Sequence, residues 1–329
     1  MIDTQARDAF ATMRDDLGLV ETRVEEAASV DYPVVSGLIL DIVRAGGKRL
    51  RPLVLLLAGR GYTYDLDRLV TAAAGVELLH TASLVHDDTV DRSALRRGKP
   101  TLNSVLNVGA VILLGDYLFA QSAILAAATG DPRVVAIFAA TLADICDGQL
   151  QEMFNAHRLD QSRADYERRI YGKTGSLFAG AAEMGAIIGA APPEHVLALR
   201  GYGADLGTAF QIIDDVLDLR EGTQQLGKPA GNDLRQGTVT LPTMLYAASL
   251  PSGGADAQFL QHVVAGKRDD DDSLSHVVDA IRRSGALDES IGAAKTFVDR
   301  AKERVEVVPD PETRTMLRQL ADAALERTS

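Results

Sequence analysis

Apolar residues recur along most of this 329-residue chain at the three-to-four spacing of helices buried on one side, and the period-two alternation of strands is almost absent. From 1 to 44 the pattern predicts one or two amphipathic helices, with Leu17, Val20 and Val24 on one face and a break at Tyr32-Pro33. Gly46-Gly47 closes that stretch as a C-cap signal, and Pro52 suits the first turn of a helix over 53–58. A long helix is predicted over 65–91, then a charged loop over 92–101. Further helices follow over 103–128, 134–156, 164–170, 176–191 and 194–219, with Lys173-Thr174-Gly175 interrupting the run and Pro192-Pro193 stopping the small-residue helix. The stretch 221–237 is a polar loop rich in Gly and Asp, long enough to be functional. A helix resumes over 240–249, and three more are predicted beyond Pro251, separated at 266–272, Gly285 and 308–311. The expectation is one all-α domain over 1–329.

Two of these helices carry the same polar interruption. In Ser83-Leu84-Val85-His86-Asp87-Asp88-Thr89-Val90-Asp91, the residues Asp87 and Asp91 lie one turn apart with Asp88 beside them. Phe210-Gln211-Ile212-Ile213-Asp214-Asp215-Val216-Leu217-Asp218 repeats the spacing. Carboxylates crowded on one helical stripe repel each other unless something positive sits among them. Mg²⁺ takes oxygen ligands and combines one or two carboxylates with substrate phosphates. Arg96 and Arg97, shortly after the first triad, suit the remaining phosphate oxygens. A lone triad reads equally well as a solvated helix end; two copies, each with an apolar approach, can face one another and hold metals between them. The run Asp269-Asp270-Asp271-Asp272 lacks that approach and reads as a loop feeding negative charge into a helix N-terminus.

With these triads, the chain resembles the trans-isoprenyl diphosphate synthases, the polyprenyl synthetase family. The blocks that carry the resemblance are Gly46-Gly47-Lys48-Arg49-Leu50-Arg51-Pro52, His80 with the first triad, 96–101, Gly115-Asp116-Tyr117, Lys173-Thr174-Gly175, the second triad, and Gly227-Lys228-Pro229 through Leu241-Pro242. The resemblance implies an isoprenoid-synthase-type helical bundle around a central cavity. It also implies condensation of isopentenyl diphosphate with an allylic diphosphate, with three Mg²⁺ held by Asp87, Asp88, Asp91, Asp214, Asp215 and Asp218. Asp87, Asp91 and Asp214 are the expected direct ligands, with Asp215 and Asp218 acting through waters. It gives Arg96, Lys173 and Lys228 to the allylic diphosphate, and Lys48, Arg51, His80 and Arg97 to isopentenyl diphosphate. The oxygens of Thr174 and Gln211 face the developing cation, and the released pyrophosphate takes the final proton. His80, read alone, is a satisfied core histidine. One departure is Thr238, where the family usually has a lysine in Gly-Lys-x-Thr-Leu-Pro; Lys228 and Arg235 are the nearby charges.

The charge of −12 argues against nucleic acid as partner and leaves the anionic substrates to local clusters, Lys48 to Arg51 and Arg96 to Lys99. The one cysteine, Cys146, excludes a disulfide framework and reads as a buried bystander. The N-terminal 20 residues carry four aspartates and no signal-peptide core, and no uninterrupted apolar run reaches about 18 residues, so a cytoplasmic protein without a membrane span is expected. The resemblance adds a homodimer.

Product length turns on the residues one turn before Asp87. Ala82 and Ser83 are small, where short-chain relatives place an aromatic ring or insert two residues in the motif, so the first gate is open. Leu118, Phe119 and Ser122 are deeper candidates for a floor. This favours a medium- or long-chain polyprenyl product made from a farnesyl or geranylgeranyl primer. The Ala/Gly-rich stretch 179–191 reads as a close helix interface rather than tunnel wall. The rivals are a short-chain farnesyl or geranylgeranyl diphosphate synthase, a terpene cyclase, against which Lys48, Arg51 and Arg97 argue, and a subunit that needs a partner.

Overall fold

The structure, a computed structural model, describes residues 6–44, 48–96, 99–220 and 230–326. Their helices are α1 (Ala6–Thr12), α2 (Arg14–Ala28), α3 (Pro33–Arg44), α4 (Leu50–Arg60), α5 (Leu66–Val90), α6 (Val108–Ala128), α7 (Pro132–Asn155), α8 (Arg163–Ile170), α9 (Ser176–Ile188) and α10 (Pro193–Arg220). There follow a short α11 (Asn232–Arg235), then α12 (Leu241–Ser249), α13 (Ala255–Val264), α14 (Asp271–Arg283), α15 (Ala286–Arg304) and α16 (Pro311–Leu325). The expected all-α class holds. The one piece of sheet among the described residues is a two-residue ribbon, β1 (Leu95–Arg96) against β2 (Lys99–Pro100), antiparallel with Arg96 opposite Lys99, inside the stretch expected as loop.

Backbone contacts sort the chain into two compact units, one of residues 1–143, 177–203 and 302–320, the other of 144–176, 204–301 and 321–329. In the first, α5 is the central rod, packed by α2, α4 and α6. It is buried from Leu69 to Leu79 almost without interruption, so its apolar character runs all round rather than along a stripe. Asp65 caps its start by accepting from the Arg68 N–H. The close α5–α6 contact is made by glycines: a Cβ on Gly75 would stand 3.2 Å from the Ser122 carbonyl, and one on Gly115 would strike the His86 ring. The stretch 179–191 is a close interface, as expected; a Cβ on Gly185 would lie 2.1 Å from the Leu55 carbonyl of α4. In the second unit, Leu219, Val239, Leu260, Val264, Val277 and Ile281 form a core that joins the end of α10 to α12, α13 and α14.

Several expectations need correction. The helix expected over 103–128 starts at Val108, because Asn107 caps it by accepting from the Ala110 N–H (3.0 Å) and a 3₁₀ turn at Leu102–Ser104 precedes it. Lys173-Thr174-Gly175 does not interrupt the helix: the chain widens into a π-helical turn, Tyr171–Gly175, between α8 and α9. The three breaks after Pro251 delimit four helices, not three. Cys146 is exposed, not buried. Its apolar neighbours misled the reading, since α7 buries only 28% of its most apolar window. Counting uninterrupted apolar residues also missed that, among the described residues, three helices, α5, α6 and α7, are long and apolar enough by length and composition to cross a membrane, with 78%, 28% and 28% of their most apolar stretch buried. The aspartate run behaves as expected: Asp270 caps α14 by accepting from the Ser273 N–H at 2.8 Å.

Candidate active site

The first triad sits at the C-terminal end of α5, in the first unit. Asp88 is buried, and Arg96 returns from the ribbon to clasp it, Nε lying 2.9 Å from both carboxylate oxygens and Nη2 2.8 Å from Oδ1. Such a fork is available to arginine and not to lysine. Burial alone would lower the Arg96 pKa, but its bonds to Asp88 and the charges of Asp87 and Asp91 outweigh that and raise it. Asp87 is half-buried and Asp91 exposed, so both remain within reach of ligands from solvent.

A cavity of about 400 Å³ opens along the same side of α5, lined by His80, Leu84, Asp88 and Arg96, with Leu38 and Asp41 of α3 and Leu102 opposite. Arg49, in the left-handed region at φ +48°, pairs with buried Glu77 at the cavity wall and donates to the Val43 carbonyl (2.8 Å). This pair explains the lone acid in the apolar approach to the triad. Lys48 is half-buried beside Arg49, and Arg51 lies over the Phe178 ring at 4.6 Å. His80 is half-buried and reaches the cavity, so it is not closed into a core. Ala82 is fully buried, Ser83 half-buried and bonded to the His80 carbonyl, and Leu118 buried on α6. Phe119 meets the His86 ring edge-on, with centroids 5.2 Å apart. Arg97 and Lys228 lie outside the described residues.

In the second triad, in the other unit, Asp215 is held by a chain of hydrogen bonds and Asp218 by a backbone N–H. Asp215 is buried; Tyr166 of α8 donates to its Oδ2 (2.7 Å) and Gln211 Nε2 to its Oδ1 (2.8 Å). Thr174 in turn donates to Gln211 Oε1 at 2.7 Å. Burial pushes the Asp215 carboxyl up to about 7, against the pull of Gln211, Tyr166 and the Arg169 charge. Asp218 accepts from the Asp233 N–H at 3.1 Å. The Asp233 carboxyl is raised as well, first by burial and then by Asp218, Asp215 and Glu152. Lys173 binds Glu152 at 2.5 Å.

Glycines set this corner. A Cβ on Gly148 of α7 would stand 2.4 Å from the Lys173 nitrogen, and one on Gly172 2.8 Å from the Asp144 carbonyl, so α7 and the π turn cross backbone to backbone. A π turn lodged in a helix is a frequent mark of a functional site, and here it presents Lys173 and Thr174. Thr238 is half-buried with its N–H on the Asp233 carbonyl (2.8 Å), while Arg235 is engaged at the surface by Asp271 (2.6 Å) rather than standing in for the missing lysine.

Sequence reasoning missed Tyr166, Arg169, Glu152 and Asp233. Asp233 lay in a loop already marked as functional; Tyr166 looked like any core aromatic. Both acidic clusters suit Mg²⁺. Their donors are all carboxylate oxygens, and the carboxyls of Asp215 and Asp233, raised first by burial and then by neighbouring acids, are groups whose charged form a bound cation would favour. Among the described residues no three acidic, histidine or cysteine groups converge to cage an ion by themselves.

Comparison with known proteins agrees with this chemistry. The polyprenyl synthetase family model matches residues 33–281. A heptaprenyl diphosphate synthase component 2 from Geobacillus stearothermophilus is 39% identical, over 95% of this chain and 96% of that protein. The crystal structure of a decaprenyl diphosphate synthase from Rhodobacter capsulatus superposes with TM-score 0.92 at 37% identity, covering 98% of this chain and 99% of that one. A polyprenyl synthase from Caulobacter crescentus, solved with calcium and isoprenyl diphosphate, gives 0.93 at 35% identity, covering 98% of each chain.

Proposed function

Since the chain belongs to the polyprenyl synthetase family, we propose that it condenses isopentenyl diphosphate with an allylic diphosphate to make a medium- or long-chain all-trans polyprenyl diphosphate. The observation that carries this reading is the pair of aspartate triads, each tied into basic or hydrogen-bonding partners. Asp87, Asp88, Asp91, Asp214, Asp215 and Asp218 hold Mg²⁺, three ions in all, directly or through water. Mg²⁺ held by these residues would supply Lewis acidity to the leaving diphosphate oxygens. Arg96, Lys173 and Lys228 bind the allylic diphosphate; Lys48, Arg51, His80 and Arg97 bind isopentenyl diphosphate. Thr174 and Gln211 turn oxygens to the cation formed as the carbon–oxygen bond breaks. Asp233 lies beside the second triad with its carboxyl raised, first by burial and then by Asp218, Asp215 and Glu152, so cations bound there would draw it into its charged form.

Small side chains at Ala82 and Ser83 support the longer product, as do the heptaprenyl and decaprenyl products in the names of two relatives. The chain works as one catalytic domain. We also infer a homodimer, supported by the exposed Val108, Leu113 and Ile124 of α6, each more than half accessible. A cytoplasmic location suits a chain with one cysteine.

The test is incubation of purified protein with Mg²⁺, labelled isopentenyl diphosphate and farnesyl diphosphate, with dephosphorylated products sized by chromatography and mass spectrometry. A ladder reaching well beyond twenty carbons is expected; products of twenty carbons or fewer would overturn the chain length but not the chemistry. A second reading, a catalytic subunit that needs a different partner chain, rests on the words "component 2" in the name of the Geobacillus relative. It predicts that the purified chain alone is inactive.

A further inference from the structure

The catalytic role of Thr174 requires its lone pairs, and not its proton, to face the growing cation. Neither Thr174 nor Gln211 has a direction of its own: a hydroxyl rotates, and a side-chain amide fits a site either way round. Direction has to come from a group that only accepts or only donates. Asp215 is that group, since both of its oxygens are engaged as acceptors, Oδ1 from the Gln211 amide N–H and Oδ2 from the Tyr166 hydroxyl, so it turns an acceptor and not a donor to Gln211. Gln211 therefore turns Nε2 to Asp215 and Oε1 to Thr174, whose single proton is used on that oxygen.

Asp215 is itself held at its other oxygen, Oδ2, by the Tyr166 hydroxyl at 2.7 Å. Tyr166 is fully buried and rigidly mounted. A capping box of Ser162 and Asp165 fixes the start of its helix. One turn on, Arg169 lies 5.6 Å from the Tyr166 ring centroid and is anchored by bonds to the Val239 carbonyl (2.6 Å) and Gln161 (3.1 Å).

We propose that Tyr166 is a positioning residue, whose donation to Asp215 locks a relay through Gln211 that turns the Thr174 hydroxyl proton away from the cation and its lone pairs toward it. The inference deepens the proposed prenyl transfer and rests on it. Without the phenol, one oxygen of a buried carboxylate loses its 2.7 Å donor and the group is free to rotate. Gln211 then loses its fixed sense, and Thr174 no longer presents one face. No substrate contact is removed.

The experiment is Tyr166→Phe in the full-length protein, assayed with Mg²⁺, farnesyl diphosphate and isopentenyl diphosphate, alone and combined with Thr174→Ala. The expected result is a fall in kcat of about tenfold, the scale of one hydrogen bond to a charged group, with KM for both diphosphates within about twofold. Added to Thr174→Ala, the phenylalanine should cost little more, because both act through one oxygen. Placing 4-aminophenylalanine at 166 keeps the ring and a donor, and should restore most of kcat. Because that residue nearly matches tyrosine in shape, it also serves should the phenylalanine variant not fold. Unchanged kcat in Tyr166→Phe, effects that simply multiply in the double variant, or no recovery with the amino group would each overturn the proposal. A wild-type protein that elongates nothing would instead overturn the reading it rests on.

Discussion

Replacing Gly148 by alanine probes the crossing of α7 and the π turn directly. The added Cβ would lie 2.4 Å from the Lys173 nitrogen, 2.8 Å from the Gly172 carbonyl carbon and 3.1 Å from the Arg169 oxygen, whereas ordinary contact begins near 3.4 Å. All three are backbone atoms, so no rotamer change relieves the clash; the π turn has to retreat by about 1 Å, taking Lys173 and Thr174 with it. Overpacking of this kind costs about 1–3 kcal/mol of stability, and a shift of about 1 Å in a positioning element costs about 100-fold in rate. The assay is kcat for farnesyl diphosphate elongation, measured well below the variant's Tm so that loss of rate is separated from loss of fold. A variant with kcat within twofold of wild type and an unchanged Tm would refute the reasoning, since it would mean the two backbones are not in contact or the turn does not set the position of Thr174.

Three further outcomes follow from the same geometry. Arg96→Lys keeps the charge and loses the fork on Asp88, and should lower kcat/KM for the allylic diphosphate about tenfold or more; steady-state kinetics would show it. Asp233→Asn should raise the Tm of chelator-treated protein at alkaline pH, because the raised carboxyl pKa means that its charged form is disfavoured in the folded state. That gain should shrink as pH falls and the native carboxyl takes up its proton, and a melting series across pH would reveal a wrong sign. Ser83→Phe should shorten the product ladder by narrowing the space one turn before Asp87, and an unchanged ladder would remove Ser83 from the path of the chain.

The parts legible in the sequence are those where residue spacing and local structure coincide. The two aspartate triads stood out because carboxylates four residues apart on an apolar helix repel one another, and the run 269–272 was readable as charge at a helix N-terminus because that preference is local, although not that Asp270 would be the cap. Tyr166 was not readable: what sets it apart from Tyr202 or Phe178, which are also buried, is a hydroxyl aimed at a carboxylate 49 residues away. The π turn escaped for a related reason. Gly172 and Gly175 look like helix breakers in one dimension, and only the neighbouring α7 shows that Gly172 is there to let two backbones touch. Cys146 shows the converse error, an apolar neighbourhood taken for a core when the helix leaves that face uncovered.

Both triads occupy the last turns of their helices, Asp87, Asp88 and Asp91 at the end of α5 and Asp214, Asp215 and Asp218 at the end of α10. The aligned peptide dipoles make a helix C-terminus negative, so each triad adds anions where the helix itself already repels them. A cation bound there relieves self-repulsion as well as binding substrate, and it does so only in the folded chain. If the triads hold divalent ions as proposed, the resistance of this protein to heat and proteolysis is coupled to the supply of those ions, and a chelator would loosen first the two helix ends that carry the triads.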